Sequence, residues 1–249
     1  MIRSGNPVLS DKIFNRNSSP ALRMGSGAVQ DVMTLDGAVN KTGLSILITA
    51  AAAYYSFTHP EVFRYYIPFL IGTLICALVI SFKPKTAPYL TPLYAAVEGL
   101  MLGAISMMFE MRYPGIVFQA VTLTFGTLFA LLMAYKSGWI KATENFKLGV
   151  FAATGAIGLL YLTSFILSFF GIQMGFMHNS SLLSIGISCV IVVVAALNLV
   201  MDFDFIENAA ASKSAPKYME WYAAFGLLVT LVWLYVEFLR LLSKINDRK

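Results

Sequence analysis

The sequence predicts an all-α integral membrane protein, a bundle of seven transmembrane helices. Three observations predict it. The mean hydropathy is +0.72 over 249 residues, charged residues make up only 12% of the chain, and the apolar residues gather in blocks instead of alternating with polar ones. A hydrocarbon core about 30 Å thick needs about 20 mainly apolar residues per helix, which gives each block a length to meet.

The first block, Thr42 to Phe57, is rich in alanine. The second, Arg64 to Phe82, contains "IPFLIGTLICALVISF", and the third, Pro92 to Phe109, carries Glu98 inside it. Gly115 to Tyr135, Leu148 to Gly171 and Ser181 to Met201 hold no Asp, Glu, Lys or Arg, and Trp221 to Leu242 completes the set. The chain therefore divides into a polar tail over 1–40, a transmembrane domain over 41–243 and a basic end over 244–249. The tail has no apolar run long enough for a signal-peptide core and reads as disordered, so the part before Asp36 is expected to be dispensable for folding.

With seven spans the connections alternate sides. The tail and the second, fourth and sixth connections hold twelve cationic residues: Arg3, Lys12, Arg16, Arg23, Lys41, Lys83, Lys85, Lys136, Lys141, Lys147, Lys213 and Lys217. The other side holds six: Arg64, Arg112, Arg240, Lys244, Arg248 and Lys249. This asymmetry places the N-terminus in the cytoplasm. A last segment that re-entered without crossing would bring the basic end back to that side. The uncharged run from Trp221 to Val236, with Trp221 and Trp233 as interfacial anchors, favours a full crossing. The net charge of +5 follows from this topology and calls for no nucleic acid.

Most familiar chemistry is excluded by residue count. Only His59 and His178 exist, both in connections, so no histidine metal centre forms within the membrane. No G-x-S-x-G, P-loop, dinucleotide fingerprint or C-x-x-C occurs, and Cys76 and Cys189 lie inside predicted helices, where a thiol behaves as a small hydrophobe. No enzyme activity and no cofactor is expected.

What remains is acidic. A carboxylate in hydrocarbon costs roughly 2.5–3.5 kcal/mol on insertion scales, so such residues face protein or water. Glu98 lies roughly 10 Å below the cytoplasmic boundary at 1.5 Å per residue. Beside it Gly99 and Gly103 form a G-x-x-x-G step, which reads first as a face for close helix packing. In "MDFDFIE", Asp202 and Asp204 lie about 200° apart on a helix, so only one can face the bundle. Either could instead mark a solvated helix end. Antiparallel depth places Glu220 near Glu207 and about a turn from Asp204. Glu237 reads mainly as an ion pair with Arg240 one turn on. Buried carboxylates at close range can share a proton near neutral pH, so groups from the third, sixth and seventh spans could form a proton-sensitive, cation-attracting gate.

The succession "NPVL", "MTLDGAVNKTG", "EGLMLGAIS", "YPGIVFQAVTLT", "DFDFIE" and "APKYMEWYAAFGLLVTLVWLYVEFLRLL" resembles the bacterial branch of the Bax inhibitor family, the Bax inhibitor/YccA-like membrane proteins, from Asn6 to Leu242. The resemblance implies a seven-helix protein of the bacterial inner (plasma) membrane with its last helix central. It also implies a pH-dependent calcium leak that depends on two aspartates of the last two helices. Asp202 or Asp204 matches the first. No aspartate lies on the last helix; "LYVEF" nominates Glu237, the C-terminal "LRLL" nominates the place of Thr230, and antiparallel depth nominates Glu220. Glu98 is the remaining candidate for the missing carboxylate.

The expected function is a pH-sensitive cation (calcium) leak channel or transporter-like protein, with the bilayer, calcium and protons as partners. The alternative is a non-conducting regulator that binds another membrane protein, such as a quality-control protease. An intramembrane acid hydrolase would need a G-x-G-D motif, which the chain lacks.

Overall fold

The computed structural model describes residues 32–171 and 179–248. These hold seven long helices: α1 (Leu35–Thr58), α2 (Tyr66–Phe82), α3 (Ala87–Arg112), α4 (Ile116–Lys136), α5 (Glu144–Phe169), α6 (Leu182–Ala211) and α7 (Met219–Asn246). Short 3-10 turns, Pro60–Tyr65 and Pro84–Thr86, lead into α2 and α3. Six of the helices are long and apolar enough to cross a membrane; α1 is not among them. His178 and residues 1–31 of the tail lie outside the described residues.

The shortfall of α1 has a local cause. Its buried residues Ala38, Thr42, Ser45, Thr49 and Ser56 are all small, and four carry hydroxyls. They recur at helical spacing, so they line one face. Thr42 and Ser45 donate back to the carbonyls of Ala38 and Lys41, each at 2.8 Å, which satisfies the hydroxyls without a partner helix. The inward face is thus less hydrophobic than the face turned outward.

Most helices exceed the expected bounds, and three of the extensions bear on the site. α1 begins at Leu35, seven residues before Thr42, because the Thr34 hydroxyl caps it by accepting from the Gly37 amide. Asp36 in the first turn suits the positive end of the helix. α6 continues past Met201 to Ala211, so Asp202 and Asp204 lie within a helix and not at a frayed end. α7 begins at Met219 and runs to Asn246, beyond the Leu242 that ends its apolar run.

Two compact units divide the chain. One comprises residues up to Met108 together with Asp202–Val229; the other comprises Phe109–Met201 and Thr230–Lys249. In the first, α1 packs closely against α3 across Gly99 and Gly103. A β-carbon on Gly99 would stand 2.8 Å from the Ala52 methyl, and one on Gly103 would stand 2.9 Å from the Ala53 Cα. Thr49 donates to the Ala95 carbonyl at 3.1 Å, and Thr91 to the Trp221 carbonyl at 3.2 Å. Tyr94 meets Phe225 edge-on with ring centroids 4.9 Å apart.

In the second unit, Asn198 on α6 donates to the Thr154 hydroxyl of α5 at 2.8 Å. Gly115, with φ of 86°, and Val117 donate their amides to the Glu110 carboxylate, which caps the start of α4. Asp247 just beyond α7 accepts from the Tyr113 hydroxyl, from Arg112 at 3.3 Å and from Ser180 at 3.4 Å. Of the six spanning helices α7 is the most buried and α5 the least.

The Asp247 latch responds to pH at both limits. The bond from Tyr113, and then the Arg112 charge, hold the Asp247 carboxyl below its ordinary value of 3.8. A depressed carboxyl contributes above that value, and the contribution is lost as pH falls through the lower folded one. Burial, and then Asp247 itself, push the Tyr113 phenol above 10, so its donor persists until the pH exceeds that value. Hydrogen exchange at the end of α7 is therefore expected to keep constant protection, after correction for intrinsic rates, from pH 5 to 9. Asp247→Asn should raise exchange there throughout. A change in protection within that window would refute the assignment.

The helix contact makes a second prediction. Gly103→Ala is expected to destabilise the protein by about 1–3 kcal/mol, since the new methyl meets backbone that cannot turn aside. Gly126→Ala on α4, where the methyl meets open space, should be neutral or stabilise by up to about 1 kcal/mol. Thermal unfolding in detergent measures both; equal effects would contradict the close packing.

Candidate functional site

Glu98, Asp202, Asp204 and Glu220 all fall in the first compact unit, whereas Glu237 falls in the second. Glu98 sits near the middle of α3 with 4% of its surface exposed. The Tyr94 hydroxyl, one turn earlier on α3, and the Thr73 hydroxyl of α2 face its carboxyl. Thr73 also donates to the Leu70 carbonyl at 3.0 Å. The groups that face Glu98 are thus neutral hydroxyls, unlike the cations that meet Glu220 and Glu237.

On α6, Asp202 is fully buried and Asp204 is half-buried, so the faces separated by about 200° have different surroundings. Asp202 is the inward one. Glu207, a turn further on, is exposed.

Glu220 is also fully buried, yet its neighbours are cations and donors, not carboxylates. Lys41 pairs with one oxygen. The other receives the Thr34 amide at 2.8 Å, the Thr34 hydroxyl at 2.9 Å and the Lys217 ammonium at 2.9 Å. The Thr34 cap of α1 and the first turn of α7 both meet at this carboxylate, so two positive helix ends add to two ammonium groups. The Gly37 Cα lies so close that a side chain there would overlap the carboxyl. Where another acid was expected beside Glu220, the contacting groups are two ammonium ions and the two polar groups of Thr34.

The same contacts revise the expected boundary of the dispensable tail. Val32 bridges to Pro216, the buried Met33 donates its amide to the Ala215 carbonyl at 2.8 Å, and Thr34 binds Glu220. The segment before Asp36 is part of the fold from Val32 onwards.

Glu237 is buried in the second unit. It accepts from the Tyr161 hydroxyl at 2.6 Å and from Arg240 at 3.0 Å, the ion pair expected from their spacing. Thr230 is buried on α7. Among the described residues no group of three His, Cys, Asp or Glu side chains could hold a metal ion. The carboxylates are thus distributed along the helices and do not form a cage.

Sequence reasoning missed the partners of Glu220. The i, i+3 spacing of Lys217 and Glu220 was legible, and "MTLDG" has the form of a capped helix start. The approach of Lys41, 179 residues away in sequence, leaves no local signal. Tyr94, one turn before Glu98, could have been found from helical spacing alone.

A family model described as Bax inhibitor 1 like matches residues 6–247. The chain belongs to this family. No curated protein and no solved structure matches it significantly. Family membership and six long apolar helices together make it an integral membrane protein.

The Glu220 anchor predicts a large cost for a small change. Glu220→Gln keeps the size but leaves Lys41 and Lys217 without their anion, which should cost about 1–3 kcal/mol because both ammonium groups still reach solvent. A chain starting at Val32 should unfold at nearly the temperature of the full chain. One starting at Asp36 should lose at least the cap, about 1–2 kcal/mol. Equal thermal stability of the two truncations would contradict the role given to Thr34.

Proposed function

We propose that this Bax inhibitor family protein is a pH-sensitive cation (calcium) leak channel or transporter-like protein, and not an enzyme. The observation that carries the reading is the burial of Glu98 and Asp202, two carboxylates within apolar helices of one compact unit. Carboxylates retained at that cost usually attract a cation or exchange a proton. The groups facing Glu98 are the neutral hydroxyls of Tyr94 and Thr73. Asp202 takes the place of the family's first aspartate, and Glu98 substitutes for the second. Glu220 and Glu237 are structural anions in this reading, and Asp204 lies on the wetter face. The protein sits in the bacterial inner membrane with its N-terminus cytoplasmic, on the strength of the cation asymmetry.

Reconstitution in liposomes holding a calcium dye tests the proposal from pH 6 to 8. Glu98→Gln and Asp202→Asn are each expected to move the pH midpoint of flux, because each removes one buried carboxyl from the titration of the gate. The double variant should depart from the sum of the single effects, while Asp204→Asn should leave the midpoint in place. A cysteine placed at Ser243 should be labelled from the outer side of intact cells. Unchanged pH dependence in both single variants would eliminate the gate. Absence of flux from the wild-type protein would favour the non-conducting regulator.

A further inference from the structure

The second compact unit contains a charge imbalance that the proposed cation pathway does not use. Near the end of α7, two cations face one buried carboxylate. Arg240 is held by Glu237 on one side, and its guanidinium lies over the Tyr161 ring at 5.3 Å. Lys244, one turn further on, donates to the Ser188 hydroxyl of α6 at 2.8 Å and lies within electrostatic range of the same Glu237. Asp247, three residues beyond, is committed to Arg112, Tyr113 and Ser180. The group thus carries one positive charge more than its carboxylate balances. Partly buried charges at membrane depth need a counter-ion.

Both cations are also prearranged. The Tyr161 ring orients the guanidinium, which has five donors and spends one on Glu237. Ser188 orients the ammonium, which has three donors and spends one there. One turn before Ser188 on α6, the Ser184 hydroxyl is fully buried and has no hydrogen-bond partner. Spare donors with a surplus positive charge suit a tetrahedral oxyanion.

Depth identifies the source of that anion. α7 has 28 residues, about 42 Å at 1.5 Å per residue, whereas the hydrocarbon core is about 30 Å thick. A centred helix projects about 6 Å into each headgroup layer. That places Lys244 among headgroups and Arg240 just beneath them.

We propose that Arg240 and Lys244 form a binding site for the phosphate of an anionic phospholipid headgroup, with Ser188 and Tyr161 as positioning residues. The full-length protein in neutral detergent, titrated with phosphatidylglycerol or phosphatidylcholine and read by native mass spectrometry, tests it. Phosphatidylglycerol is expected to bind about tenfold more tightly. Lys244→Gln should remove that preference and Lys244→Arg should retain it. Should Lys244→Gln not fold, Ser188→Ala, which keeps the charge but frees the ammonium, is expected to weaken the preference. Millimolar inorganic phosphate serves as the second arm: displacement of the lipid that depends on Lys244 would assign the same site to free phosphate. Equal binding of the two lipids, or a preference that survives Lys244→Gln, would overturn the proposal. So would an equal loss in Lys141→Gln, which would reduce the effect to general surface charge.

Discussion

The buried carboxylate of Glu220 ties the start of the first helix to the start of the last. A buried ion must bring its own solvation, and here Lys41, Lys217 and both polar groups of Thr34 provide it. The arrangement holds only if Val32–Thr34 lie against the turn before α7, if α1 begins at Leu35 and if residue 37 lacks a side chain. One interaction therefore fixes the register of the N-terminal segment, a helix cap and a close backbone approach.

The buried acids differ in what solvates them, and that difference separates structure from chemistry. Glu220 and Glu237 face cations, Lys41 and Lys217 for the one and Arg240 for the other. Glu98 faces the neutral hydroxyls of Tyr94 and Thr73 instead. Burial alone does not distinguish these roles, since all three side chains are almost fully enclosed.

Close packing and the candidate site share one short stretch of α3. Gly99 and Gly103 bring the backbone of α1 against α3 one residue after Glu98, and the α1 face that meets them consists of small residues. A helix that packs through Ala, Ser and Thr needs fewer large apolar side chains. The weak hydropathy of α1 thus follows from its close packing on α3.

By itself the sequence determined the helical class, the seven helices, the family and the opposed faces of Asp202 and Asp204. Each follows from composition, from periodicity along one helix or from long matching motifs. It also determined the Glu237–Arg240 pair, because partners one turn apart are local. Only the tertiary structure decided which groups surround Glu220, that Val32–Thr34 belong to the fold and that Lys244 meets Ser188. Those contacts join residues far apart in the chain, and a side chain's protonation depends on neighbours that no local pattern records.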